Sequence, residues 1–192
     1  MKNTNCLVAL TGGIGSGKSF ALSLLEQWGY KTLSCDKVYE KIFETNSFKR
    51  KLKKIFPTAV KGIFNLKADR KEISRIVFSD KDKLAKLNAL SHPLIVRECI
   101  SQAQKMGGVV FVEVPLLFEG GFAPLFDKVI VVMRPDAQRI QSVMDRSNLT
   151  IDEVLSRMKN QTDYAKLDLR EYIVVNNDEN FKENLKNAVE NI

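Results

Sequence analysis

Thr11-Gly12-Gly13-Ile14-Gly15-Ser16-Gly17-Lys18-Ser19 is where the reading of this chain begins. From Gly12 to Ser19 it follows the spacing GxxxxGK[ST]. Before it, Cys6-Leu7-Val8-Ala9-Leu10 is a short apolar run that reads as a buried strand. After it, Phe20, Leu24, Leu25 and Trp28 recur at helical spacing until Gly29. Strand, glycine turn and helix in that order form a phosphate-binding loop. The glycines let the backbone close into a nest of inward N–H groups, and the following helix adds the positive end of its dipole. Lys18 is placed to reach β- and γ-phosphates, and Ser19 supplies a hydroxyl for Mg²⁺. The motif points to a nucleoside triphosphate and leaves the reaction open.

Outward from the loop, short apolar runs alternate with helical patterns, which argues for an α/β chain with parallel strands. Residues 31–35 read as a second strand with Asp36 at its carboxyl end. Residues 109–114, 129–133 and 172–175 read as three more. Five buried strands with covering helices predict a doubly wound parallel five-stranded sheet, its ligand crevice at the carboxyl ends of the strands. Between strands two and three, residues 37–105 show no convincing strand. Phe48, Leu52, Ile55 and Phe56 fall at helical spacing, Asp69 and Glu72 fit a capping box, and Asp80 is placed to cap a helix. Pro93 is expected to open another helix that stops at Gly107-Gly108. Such a block suggests an inserted helical substrate domain. A capped helix–turn–helix follows over 136–161, with Thr150 and Glu153 as a capping box.

Several side chains are candidates for chemistry. Asp36 is either an acid that accepts a proton from a substrate hydroxyl or a helix N-cap. Glu113, near a strand end, fits an acid that holds Mg²⁺ or one that faces solvent. Arg139, Arg146 and Arg157 lie on the late helical pair, where one arginine can stabilise a transferred phosphoryl group and others are surface charges. Lys49-Arg50-Lys51-Leu52-Lys53-Lys54 is either an anion-facing cluster or a solvated helix face. His92, just before Pro93, reads as a structural residue with room for a substrate contact.

Composition sets the limits. The chain has 192 residues with 30 Lys and Arg against 23 Asp and Glu, a net charge of +7. Such a balance favours anionic partners: nucleic acid, a membrane surface or phosphorylated small molecules. No apolar run reaches the roughly 18 residues of a membrane helix, and the N-terminus lacks a signal-peptide pattern, so a cytoplasmic protein with no membrane partner is expected. Three widely spaced cysteines form no zinc or disulfide pattern and are expected to be buried thiols. One histidine excludes a multi-His metal site. Met133-Arg134-Pro135-Asp136 offers no guanine-reading signature, against a GTPase switch.

Taken together, the fragments resemble the dephospho-CoA kinase family. They are Leu10 through Ser19, Asp36, Leu87-Asn88-Ala89-Leu90-Ser91-His92-Pro93-Leu94-Ile95, Val114-Pro115-Leu116-Leu117-Phe118-Glu119, Arg157 with Gln161, and Tyr172-Ile173-Val174-Val175-Asn176. The resemblance implies a P-loop NTPase-type core over 1–36, 109–135 and 171–192, a helical CoA-substrate domain over 37–108 and a helical lid over 136–170. It implies phosphorylation by Mg²⁺-ATP of the ribose 3′-hydroxyl of dephospho-CoA. Catalysis would then rest on Asp36, Lys18 and Arg146. ATP would lie against Gly13, Ile14, Gly15, Ser16, Gly17, Lys18, Ser19, Phe20 and Asn176. The acceptor would meet Thr11, Asp36, His92, Pro115 and Leu116, and the metal Ser19 and Glu113. Ser142 stands where the family often has a lid arginine, which throws more weight on Arg146. Phosphorylated small molecules then outrank nucleic acid and a membrane surface, neither of which is expected as a partner, a monomer is the working expectation, and another P-loop small-molecule or nucleotide kinase is the alternative.

Overall fold

The computed structural model describes residues 5–192. Its main sheet has five parallel strands: β1 (Cys6–Thr11), β2 (Lys31–Ser34), β5 (Val109–Glu113), β6 (Lys128–Met133) and β7 (Ile173–Asn176), in the order β2-β5-β1-β6-β7. Between β2 and β5 come α2 (Cys35–Glu44), α3 (Asn46–Ile55), a hairpin of β3 (Val60–Lys61) and β4 (Lys67–Ala68), α4 (Arg70–Ser79) and α5 (Lys81–Met106). The rest of the sheet is covered by α1 (Lys18–Gln27), α6 (Asp136–Ser147), α7 (Ile151–Lys159) and α8 (Phe181–Glu190).

The chain divides into two compact units, one running up to Ser34 and resuming over Ile100–Ile192, the other Cys35–Cys99. In the first, the sheet core is Val8, Leu10, Phe111, Ile130 and Val132, closed by Leu22 and Leu25 of α1 and by Phe181 and Leu185 of α8. β1 lies between β5 and β6, with Leu10 opposite Glu113 and Thr11 opposite Val131. This register puts the chain turn after β1 level with Glu113. The second unit has its own core of Phe43, Phe48, Leu52, Phe56, Val60, Leu66 and Ile73.

Several sequence expectations change. The predicted apolar face of α1 is rotated: Ala21, Leu22, Leu24 and Leu25 are buried, while Phe20 and Trp28 are largely exposed. Only the three central strands are buried throughout most of their length; β2 and β7 are edges and keep exposed residues. The helical block contains the β3–β4 hairpin, whose two-residue strands are too short to leave a period in the sequence. Pro93 lies inside α5 instead of opening a helix. The start belongs to Asp80, whose carboxylate accepts the Lys83 N–H at 3.0 Å. Only half of the Asp69–Glu72 capping box forms, because the Glu72 carboxylate turns to Arg75. The Thr150–Glu153 box is complete. Cys6 is half-buried, while Cys35 and Cys99 are buried with their Sγ atoms 3.5 Å apart.

Candidate active site

The loop of residues 12–17 leaves β1 and enters α1. Gly12, Gly15 and Gly17 adopt positive φ, at 147°, 76° and 102°. At Gly12 the close approach is to backbone: a Cβ would strike the carbonyl oxygen of Val132 in β6. At Gly15 a Cβ would stand 2.5 Å from the carbonyl oxygen of Arg139. No side chain caps α1. The first turn of a helix supplies no carbonyl to its own opening N–H groups, which makes such an end suited to an anion.

Three side chains from distant parts of the first unit hold the loop. Arg139 of α6 donates from Nε to the Ile14 carbonyl at 2.9 Å and pairs with Asp136 at 2.7 Å. Gln161, after α7, accepts the Ile14 N–H at 2.7 Å. Asn177, after β7, donates from Nδ2 to the Ser16 carbonyl at 2.8 Å. In a trans peptide the C=O and the next N–H point opposite ways. Clamping the carbonyls of Ile14 and Ser16 therefore turns the N–H groups of Gly15 and Gly17 away from the clamps.

Lys18 is buried, and its ammonium donates to the carbonyls of Gly12 at 2.7 Å and Gly13 at 3.0 Å. The Ser16 hydroxyl is buried without a hydrogen-bond partner among the described residues. An orphaned donor inside a cradle of this shape fits a phosphate oxygen. Ser19 donates its hydroxyl to Glu113 at 2.7 Å, and Glu113 is buried at the end of β5. A hydroxyl and a carboxylate side by side are hard oxygen donors suited to Mg²⁺, which takes few protein ligands and completes its shell with phosphate and water. Among the described residues there is no cluster of three or more His, Cys, Asp or Glu that would hold a metal without such help.

Behind the loop, Thr11 donates to the Val114 carbonyl at 2.9 Å, which leaves its oxygen to accept from the Tyr164 hydroxyl at 3.4 Å. Burial pushes the Tyr164 phenol up to about 12. Phe118 packs against Tyr164 and Tyr172, and Glu119 accepts the Thr162 N–H at 2.7 Å. The Pro115–Glu119 stretch thus carries the 161–164 segment to the loop.

The predicted site residues are not all brought together. Lys18, Ser19, Glu113, Thr11 and the loop residues are assembled within one unit. Ile14 meets the site differently from expectation, since its N–H is occupied by Gln161. Phe20 is exposed and stacks on Phe181, with centroids 5.9 Å apart. Asn176 ends β7 exposed, and it is the next residue, Asn177, that touches the loop. Pro115 and Leu116 are half-buried beyond β5. Arg146, in the last turn of α6, is exposed and contacts Ser147. Asp36 lies in the first turn of α2, in the second unit, one residue after the helix begins. His92 is half-buried in α5 of that same unit. The sequence offers Arg139 only as one of three late-helix arginines, either a phosphoryl-stabilising group or a surface charge, and gives no loop role to Gln161, Tyr164 or Asn177. Their contacts with residues 11–16 span 125 to 161 residues of sequence, beyond any local pattern.

The sequence profile of dephospho-CoA kinases matches residues 6–183. The chain belongs to the dephospho-CoA kinase family. A dephospho-CoA kinase of Thermus thermophilus is 37% identical over 156 residues, covering 81% of this chain and 74% of its own. A crystal structure of a Thermus thermophilus protein superposes with a TM-score of 0.81 at 34% identity, covering 97% and 95% of the two chains. The dephospho-CoA kinase structure from Campylobacter jejuni gives 0.61 at 27% identity, covering 96% and 94%. Membership makes the chain an ATP-dependent kinase of the last step of coenzyme A biosynthesis, and the reading of the 12–19 loop as a triphosphate site agrees with it.

Proposed function

We propose that the protein transfers the γ-phosphate of ATP to the ribose 3′-hydroxyl of dephospho-CoA with Asp36 as the proton acceptor. The new bond joins the 3′-oxygen to the γ-phosphorus, the bond from that phosphorus to the β–γ bridging oxygen breaks, and the hydroxyl proton goes to the Asp36 carboxylate. The observation that supports this reading most is the clamped loop at an uncapped helix start, with Lys18 folded into it. Its N–H groups would meet the β- and γ-phosphates from positions the clamps already fix, and the Lys18 ammonium would turn from the Gly12 and Gly13 carbonyls toward them. Ser19 and Glu113 would hold Mg²⁺, which supplies charge neutralisation on the β- and γ-oxygens. Arg146, at the exposed end of α6, is assigned the charge of the transferred group. Both substrates carry several negative charges, which suits a basic protein working in the cytoplasm.

The test is ADP release with ATP plus dephospho-CoA, set against no acceptor, shikimate, gluconate and nucleoside monophosphates. Turnover with dephospho-CoA alone is expected. In the same assay Asp36→Asn should lose roughly 10²–10⁴ in kcat with ATP affinity kept, as for a general base. Activity within about threefold of wild type would remove Asp36 from the role.

A further inference from the structure

The surplus charge has one address. Residues 46–68 hold seven of the 30 Lys and Arg and no Asp or Glu, so the remaining 23 basic residues balance the 23 acidic ones. The whole net charge of +7 belongs to α3 and the β3–β4 hairpin. Lys49 is buried and paired with Glu44 at 2.9 Å. The other six, Arg50, Lys51, Lys53, Lys54, Lys61 and Lys67, are exposed. Among the described residues none of the six has an ion-pair partner.

The same face presents an apolar tip. Between β3 and β4, Ile63 is 80% and Phe64 88% exposed. This loop is fixed on α3 by three hydrogen bonds. Lys53 donates to the Gly62 carbonyl at 2.8 Å, and the Asn46 amide accepts from the Leu66 N–H at 3.2 Å and donates to the Phe64 carbonyl at 3.3 Å. Beside it lies an open recess of about 440 Å³ lined by Arg50, Lys53, Lys54, Ile63 and Leu66. Two large apolar side chains held out into water, beside a recess lined by Arg50, Lys53 and Lys54, are complementary to a surface that is negative outside and apolar just beneath.

We propose that this face docks the protein peripherally on an anionic phospholipid bilayer. Ile63 and Phe64 enter the boundary between headgroups and acyl chains, and the six cations face lipid phosphates. A nucleic acid would satisfy the charge but offers no apolar phase for Ile63. That no helix of the described residues is long and apolar enough to cross a membrane does not bear on attachment of this kind. From the sequence no membrane partner is expected, on the lack of a spanning run and on the family fragments, and vesicle binding decides between that expectation and this docking.

The purified full chain is sedimented with vesicles of phosphatidylcholine alone and with about 30% phosphatidylglycerol, at roughly 0.05 M salt. Binding at least about tenfold stronger to the anionic vesicles is expected, and its loss at roughly 0.5 M salt. The double change Ile63→Ser with Phe64→Ser touches only exposed side chains. It should leave the unfolding temperature unchanged and weaken vesicle binding about tenfold or more. Arg50→Gln with Lys51→Gln and Lys54→Gln should weaken it by at least about tenfold as well. Equal binding to neutral and anionic vesicles, or full binding by the Ile63/Phe64 variant, overturns the proposal. So does tight binding of a short single-stranded RNA under the same conditions with no vesicle binding, which would assign the face to nucleic acid.

Discussion

Arg139→Ala is the sharpest probe of how the phosphate loop is held. The Arg139 side chain is 13% exposed, so its bond to the Ile14 carbonyl is shielded from water, whereas its partner Asp136 is 73% exposed and adds little. A charge-assisted bond of this kind contributes about 1.5–3 kcal/mol. With part of that lost to solvent replacing the guanidinium, about 1–2 kcal/mol remains for fixing the Ile14–Gly15 peptide. If that orientation is what ATP needs, Arg139→Ala weakens ATP binding about 5- to 30-fold, as read by calorimetry. The unfolding temperature should fall by about 2–8 °C. Gly13 supplies the control. It is not among the positive-φ glycines, and a Cβ there would meet the Arg139 guanidinium, with Cζ at 2.7 Å. Gly13→Ala therefore acts by evicting Arg139. In urea unfolding without nucleotide, it should cost about 1–2 kcal/mol in the wild type and less than about 0.5 kcal/mol in the Arg139→Ala background. An ATP affinity for Arg139→Ala within twofold of wild type, or an equal cost of Gly13→Ala in both backgrounds, would refute the clamp.

Three further outcomes follow from the same geometry. Gly12→Ala, unlike Gly13→Ala, meets the backbone of β6 at a φ of 147° and should cost about 3–5 kcal/mol; thermal melting close to wild type would be inconsistent with that contact. Glu113→Ala should raise the Mg²⁺ concentration for half-maximal turnover about 10- to 100-fold, and an unchanged Mg²⁺ titration would reduce Glu113 to an acceptor for Ser19. Tyr164 has its folded-state phenol raised to about 12 by burial, above its ordinary value of 10.0. The stability of its neutral form is therefore complete below about pH 10 and is lost as pH rises through about 12. Relative to Tyr164→Phe, the wild type should lose up to about 3 kcal/mol over that window in urea titrations, and parallel pH profiles would contradict the burial argument.

Much of the core was legible from local patterns, for a physical reason. Strand periodicity, glycine turns and capping are decided by neighbours within a few residues, so Gly12 through Ser19, the Thr150–Glu153 box and the five parallel strands could be read directly. The chemistry of Lys18 and Ser19 was equally readable, because the loop brings its own ligands. Three things were not. The β3–β4 hairpin escaped because two-residue strands carry no period. The rotation of α1 escaped because Phe20 and Trp28 look like core residues until Phe181 and solvent claim them. The loop's clamps escaped because Arg139, Gln161 and Asn177 reach it only after β6 has been laid beside β1 and β7 beside β6. The +7 was countable at once as a total. That Arg50, Lys53 and Lys54 line one recess with Ile63 depends on α3 and the hairpin folding together, since charge becomes a surface only when the chain decides which residues share a side.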